Sequence, residues 1–317
     1  MKVTVAVVGI CSARHIARCL EALGGQEAPP SFDVLVVHDP NIVGVSDLSD
    51  RFGDARFVVN AGQRTPLELA ARAVGMATGD LVLLTEDHCI PRSDWVRAMT
   101  AAAVAGRAVV GGRVEIAENA SAVDWAFYFV DFFRYAAPAR EGPSPSLTVC
   151  NACYRKADLA AVAGLWSTDF HETAIHDALR ARFGPLWLEP RSEVTMARHV
   201  KLRDALYERY AFGRLFGCKR IRFISRGRRL YYAILAPALP ALLLLRMARK
   251  ALRSRRLARA FLRSLLPLMA MVLTWSWGEW LGYVTGRHPR SLVVAPEIRT
   301  SRRDAATGQD FDPGPNR

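Results

Sequence analysis

The chain has 317 residues, enough for one large domain or two smaller ones, and its 51% hydrophobic share with a mean hydropathy of +0.07 is high for a purely soluble protein. The net charge of +13 is uneven: residues 201–263 hold 18 Lys/Arg against 2 Asp/Glu, and the remainder holds 25 basic against 28 acidic residues. A nearly neutral N-terminal part thus precedes a basic tail, and the uncharged apolar runs inside that tail exclude a nucleic-acid groove, which tracks phosphates with polar and basic side chains.

Strand and helix signals alternate in chain order. Val3–Gly9 reads as a strand and His15–Leu23 as a helix with apolar residues at helical spacing. Met1-Lys2 and the apolar run to Ile10 are too short for a signal peptide and lead into Arg14 and His15. Phe32–His38 is a second strand ending at Asp39-Pro40, and Arg56–Val59 a third. Pro66–Met76 is a helix closed by Thr78-Gly79-Asp80. Leu81–Leu84 is a buried parallel strand, Asp94–Ala105 a helix capped by Ser93, and Val109–Ile116 a strand in which Gly111-Gly112 permits close backbone approach. This alternation predicts an α/β domain with a mostly parallel sheet flanked by helices. The six cysteines are scattered, and Cys150/Cys153 form a lone CxxC without a second pair at zinc spacing, so reduced cytosolic thiols are expected.

Glu86, Asp87 and His88 follow the apolar strand directly, where parallel sheets bind ligands. Two carboxylates and an imidazole there suit a divalent cation set against a phosphorylated ligand, or form a solvated acidic turn. Further on, Glu172 falls in the first turn of a short helix whose apolar face is Ile175 and Leu179. Trp125–Tyr135 holds seven aromatics in eleven residues, read as core packing or as a flap over a cleft with the Pro-rich loop after it.

Residues 3–215 resemble family-2 glycosyltransferases, which have the GT-A nucleotide-sugar fold. The resemblance rests on an ordered series: Val5–Arg14 at the first strand and polar turn, Asp39 after the second strand, the helix Pro66–Asp80, Glu86-Asp87-His88 at the Asp-x-Asp position with Pro91 and Trp95 after it, Asn151–Lys156, Phe170-His171-Glu172, and Val194–His199. It implies a nucleotide-sugar donor held by Gly9, Ser12, Asp39, Arg72 and Glu86, a divalent metal held by Asp87, His88 and His199, and a catalytic base at Glu172, with Asp177 as its rival. Two departures stand out. His88 replaces the second Asp, which favours Mn²⁺ over Mg²⁺ or moves the metal contact to Asp87. Thr173, rather than Asp, follows Glu172, and Asp177 can instead pair with Arg180 or Arg182. A base on one face and a metal on the leaving side imply displacement with inversion. A catalytically silent nucleotide-sugar-binding or assembly protein at the membrane is the alternative.

The tail carries two apolar runs, Leu230–Leu245 with Pro237 and Pro240, and Ser264–Thr285 with Glu279 as its one charge. The second is long enough to span a bilayer and the first marginal. Basic residues flank both runs, and two full spans would place Arg246–Arg263 outside against the positive-inside rule. An in-plane or re-entrant arrangement on an anionic surface resolves this, and puts the catalytic domain on the cytoplasmic side of a cell inner membrane, with a lipid-linked or membrane acceptor. The expected organisation is a catalytic domain at 1–215, a basic membrane-associated helical region at 216–290, and a flexible polar tail at 291–317.

Overall fold

In the computed structural model, residues 1–60, 65–103, 106–221 and 224–287 are described. The tail expected at 291–317 lies outside the described residues, as do positions 288–290 of the expected membrane region. The N-terminal half runs β1 (Val3–Gly9), α1 (Ala13–Gly24), β2 (Phe32–His38), α2 (Val45–Arg51), β3 (Ala55–Val59), α3 (Pro66–Met76), β4 (Leu81–Glu86), β5 (Cys89–Pro91), α4 (Trp95–Ala102) and β6 (Val109–Ile116). Then come α5 (Ala122–Phe132), β7 (Gly142–Pro143), β8 (Asn151–Arg155), α6 (Lys156–Ala160), α7 (Glu172–Phe183) and β9 (Leu186–Met196). The C-terminal helices are α8 (Leu202–Arg220), α9 (Arg226–Leu235), α10 (Leu239–Ala251), α11 (Arg255–Arg263) and α12 (Leu265–Thr285).

The strands form one sheet in the order β3-β2-β1-β4-β8-β6-β9-β5, with β7 added on β9. The first four are mutually parallel and β6 is parallel to β9, whereas β8 runs antiparallel to both β4 and β6. All seven residues of β1 are buried, as are Leu81–Leu84 of β4, which is why both read as unbroken apolar runs. The expected mixed α/β sheet is therefore present, with an antiparallel strand in its middle.

Register brings one edge together. Gly9 pairs with His38, and Val8 pairs with both Val37 and Glu86, so the turns after β1, β2 and β4 leave the sheet at the same level. Thr85 pairs with Asn151 at the start of β8, which returns Thr148–Cys150 to that edge. Asn151 is fully buried and locks the neighbourhood: it accepts from Trp95 Nε1 at 2.8 Å and donates to the carbonyls of Arg113 and Ser192. The strand expected at Val194–His199 is longer at its start and ends at Met196, releasing Arg198 and His199 into the following loop.

Two helices start with reciprocal caps, Thr65 with Glu68 on α3 and Ser121 with Asp124 on α5. The aromatic segment is not a flap but helix α5, whose Phe127, Tyr128, Phe129 and Phe132 are buried. An apolar stripe at helical spacing packs as a helix because that buries its rings, as edge-on contacts of Tyr128 with Trp125 and Phe129 illustrate.

Helix α8 continues through residue 215, the expected end of the catalytic domain, without a break. It crosses α12 at four glycines. A Cβ on Gly213 or Gly217 would lie 2.3 or 2.4 Å from the carbonyl oxygens of Trp275 or Glu279, and one on Gly278 or Gly282 would lie 2.3 or 2.5 Å from those of Tyr210 or Arg214. Two small-xxx-small pairs thus let the backbones touch. Residues Arg226–Ala251 form a helical stretch, with a 3-10 turn at Ala236–Ala238, that is long and apolar enough to cross a membrane. Helices α11 and α12 together meet the same measure but bend by 72° between them. The first run, expected to be marginal, thus lies in the stretch that meets the measure by itself, because Pro237 and Pro240 sit at first-turn positions where a missing N–H costs nothing.

Candidate active site

A cavity of about 510 Å³ opens at the common edge of the sheet and extends under the C-terminal helices. Ile10, Glu86, His88, Glu172, Arg198 and Glu208 are among the residues that line it.

Glu86 and His88 face the cavity, with Glu86 Oε2 3.4 Å from His88 Nε2. Asp87, between them, points the other way and is completely buried. Its Oδ2 accepts from the backbone N–H groups of Ile10 (3.1 Å) and Cys11 (2.8 Å), fastening the turn after β1 to the end of β4. Its Oδ1 lies 3.6 Å from His88 Nδ1 and has no hydrogen-bond partner, and Cys11 Sγ lies 3.8 Å from the same nitrogen. The Cys11, Asp87 and His88 ligand atoms all fall within 4.8 Å of one another. The donor set of oxygen, imidazole and sulfur fits a transition metal better than Mg²⁺, and the partnerless Asp87 Oδ1 is the observation that favours a cation there. Cys11 is the residue that sequence reasoning missed, since nothing in the order of residues sets the turn after β1 against His88. Burial opposes the charged form of His88, but the Asp87 and Glu86 carboxylates outweigh it and raise its pKa. Burial raises that of Glu86.

Glu172 is the first residue of α7. Its Oε2 accepts from the backbone N–H of Val149 at 2.8 Å. Burial pushes its carboxyl up to about 7; the Val149 bond pulls it down, while Glu86 and Asp131 add to the rise. Asp177 is not brought to this cavity. Its side chain is 60% exposed and pairs with Arg180, one turn along the same helix. Glu172 and Asp177 both border a smaller side pocket of about 80 Å³.

His199 also stands apart from His88. Its side chain is 61% exposed, and Nδ1 meets Asp124 Oδ2 at 3.0 Å. Asp124 Oδ1 accepts from Val200 N at 2.7 Å, so Asp124 caps α5 and ties down the loop after β9 at once. The expected donor residues are spread along the sheet edge. Gly9 closes β1 against His38, where a Cβ would come within 2.8 Å of the His38 Cβ. Ser12 caps α1 and meets His15 Nδ1 at 2.8 Å. Asp39 is buried, its Oδ1 accepting from the backbone and side-chain nitrogens of Asn41. Arg72 is exposed on α3, and it does not line the cavity.

A buried ionic network was invisible in the sequence. Glu208 accepts from Arg198 at 2.9 Å and from Arg209 at 3.0 Å, and Arg209 also pairs with Asp131. Arg198, Glu208 and Arg209 are each under 8% exposed. Burial works against the Glu208 carboxylate, yet the two guanidinium groups hold its pKa below the ordinary range. The network joins the loop after β9 to α8 and α5 along one wall of the cavity. Lys219, at the far end of α8, adds a 2.9 Å bridge to Asp169 just before α7. All six cysteines are buried.

No protein-family model and no curated protein matches the chain. Among solved structures it is similar to the mannosyltransferase PcManGT from Pyrobaculum calidifontis in complex with GDP-Man and Mn²⁺, at 16% identity and a TM-score of 0.45, covering 98% of this chain and 76% of that one. It is similar to S. aureus TarS 1–349 in complex with UDP, at 14% identity and a TM-score of 0.46, covering 88% and 92%. It is also similar to GalNAc-T7 with UDP, GalNAc and Mn²⁺, at 10% identity and a TM-score of 0.49, covering 63% and 44%.

Proposed function

We propose that the chain is an inverting glycosyltransferase that moves a sugar from a nucleoside-diphosphate sugar to an acceptor hydroxyl presented at a membrane. The observation that carries this reading is Glu172: a carboxylate with its pKa pushed to about 7, at a helix N-terminus, sharing one cavity with Glu86 and His88. A sugar or lipid hydroxyl is a weak nucleophile, and a base matched to neutral pH is what its activation needs. The Val149 N–H holds one Glu172 oxygen and so aims the other. Glu172 takes the hydroxyl proton as the acceptor oxygen bonds to the anomeric carbon, and the bond from that carbon to the diphosphate oxygen breaks. Attack from the side opposite the leaving group inverts the anomeric centre.

Cys11, Asp87 and His88 would hold a divalent cation, with Glu86 on the cavity side of His88. Such a cation, Mn²⁺ in preference to Mg²⁺ for this ligand set, supplies charge to the departing diphosphate. Gly9, Ser12 and Asp39, at or just after the ends of β1 and β2, would meet a nucleotide laid along the sheet edge, whereas Arg72 stands outside the cavity. His199 serves this site indirectly, by fixing the loop that carries Arg198.

Membrane attachment is supported by the outward-facing Leu266, Met269, Leu273 and Trp277 on α12 and Leu230, Ile234, Leu242 and Leu245 on α9 and α10, all exposed. Basic side chains from Arg246 to Arg263 lie between these surfaces. They fit an anionic cytoplasmic leaflet, each contributing about 1 kcal/mol near it. The experiment is donor turnover with a panel of nucleoside-diphosphate sugars and Mn²⁺. Glu172→Gln is expected to keep donor binding and lose about 10²–10⁴-fold in turnover. Asp177→Asn is expected to stay near wild type. A dead Asp177→Asn beside an active Glu172→Gln would overturn the assignment.

A further inference from the structure

The cavity beside Glu172 has two chemically different ends. Its far half is walled by Phe212 and Phe216 of α8, Leu243 and Met247 of α10, and Val272 and Trp275 of α12. Its total of about 510 Å³ lies in the roughly 300–1,000 Å³ range of small-molecule sites. The wall is one helix thick: Met247 on the inner side of α10 is 1% exposed, while Leu242 and Leu245 on its outer side are 43% and 48% exposed. A helix that is apolar on its cavity side and its outer side alike separates two apolar compartments. The near half carries charges of both signs. Arg198 and Arg209 are engaged by Glu208 and Asp131, and Arg134, Glu86 and Glu172 also line the cavity.

We infer that the cavity takes an acceptor with a single hydrocarbon chain and an uncharged, hydroxyl-bearing head, the head at Glu172 and the chain between α8, α10 and α12. This deepens the glycosyl-transfer reading and rests on it for the role of Glu172. A phosphate oxygen, already ionised, would need no base, so a base at Glu172 selects a lipid alcohol or sugar head over a lipid phosphate. The chain would reach the site past residues 239–245, the first half of α10, which carries no charge on either face.

The test uses the full chain in lipid nanodiscs and dodecyl glucoside carrying a mid-chain diazirine as the probe. After irradiation, cross-links are expected on Phe212, Leu243 and Met247. Leu243→Trp, which fills the apolar half, is expected to cut labelling by about tenfold, equivalent to ~1.4 kcal/mol of binding. Leu242→Trp on the outer face is expected to leave labelling unchanged, and unlabelled dodecyl phosphate is expected to compete less well than dodecyl glucoside. Cross-links confined to Leu242 and Leu245, or better competition by the phosphate, would overturn the inference. Wild-type mapping decides this even where Leu243→Trp misfolds. Calorimetry with nucleoside diphosphates and Mn²⁺ separates the two claims: labelling inside the cavity without nucleotide binding sinks the transferase reading, and nucleotide binding without cavity labelling sinks the acceptor class alone.

Discussion

The sheet hides the aliphatic side chains of its central strands β1 and β4, whereas the C-terminal helices bury some of theirs and turn a second row outward. In β1 and β4 every aliphatic side chain points into protein, and charged groups appear only where the strands end. In α12 the inward side carries Leu268, Met271 and Val272 and then Ser276, Gly278, Glu279 and Gly282, while Leu266, Met269, Leu273 and Trp277 point out. Packing α8 on α12 draws on close backbone approach and on polar contacts such as Arg220 Nη1 donating to Tyr283 OH at 3.2 Å. The hydrophobic effect drives the first region, and in the second the close contact of small residues adds to the burial of Leu268, Met271 and Val272.

That contrast can be broken most forcefully where the two regions meet. Glu208→Ala leaves Arg198 and Arg209 buried without their shared carboxylate, and is expected to cost about 3–5 kcal/mol. Chemical denaturation in detergent checks it, and a cost under about 1 kcal/mol would mean that water reaches the network. Gly282→Leu forces a Cβ to within 2.5 Å of the Arg214 carbonyl oxygen and is expected to cost about 1–3 kcal/mol or more. Its fall in Tm, with nucleotide binding by the refolded protein retained, would place the damage in the helix crossing and not in the sheet. Replacing Leu266, Met269, Leu273 and Trp277 by Ser is expected to release the chain from anionic vesicles, whereas high salt alone leaves wild type bound, because screening does not weaken apolar burial. Flotation measures both, and release of wild type by salt would reduce the attachment to charge.

The smallest effect concerns pH. Folding raises the Glu172 pKa to about 7, so the fold favours its protonated form. The stability this contributes is fully present below the ordinary carboxylate range and is lost as pH rises through about 7. Glu172→Gln removes that dependence, and its Tm advantage over wild type is expected to grow from about pH 5 to about pH 8, as seen by calorimetric scans.

Strands β1, β2 and β4 were legible because double-sided burial leaves an unbroken apolar run. So was the placement of Glu86-Asp87-His88 at a strand end. Their division of labour was not legible, since which way Asp87 turns depends on the Ile10 and Cys11 N–H groups some 76 residues away. The antiparallel insertion of β8 was equally hidden, because a short buried strand looks the same in either direction. Glu172 and Asp177 are both acidic residues of one short helix, and only the position of Val149 and Arg180 distinguishes them. The network of Arg198, Glu208 and Arg209 resembled ordinary surface charge in a basic tail, and the α8–α12 crossing was masked by glycines scattered among aromatics.

The central claim, that Glu172 is the base, is tested most directly by the pH dependence of turnover with a nucleoside-diphosphate sugar that the wild type binds. The account predicts a rate that rises through about pH 7 as Glu172 ionises, and a Glu172→Gln variant that binds the donor equally well but lacks both the rate and the rising limb. An unchanged rising limb in Glu172→Gln, or its disappearance in Asp177→Asn alone, would contradict it.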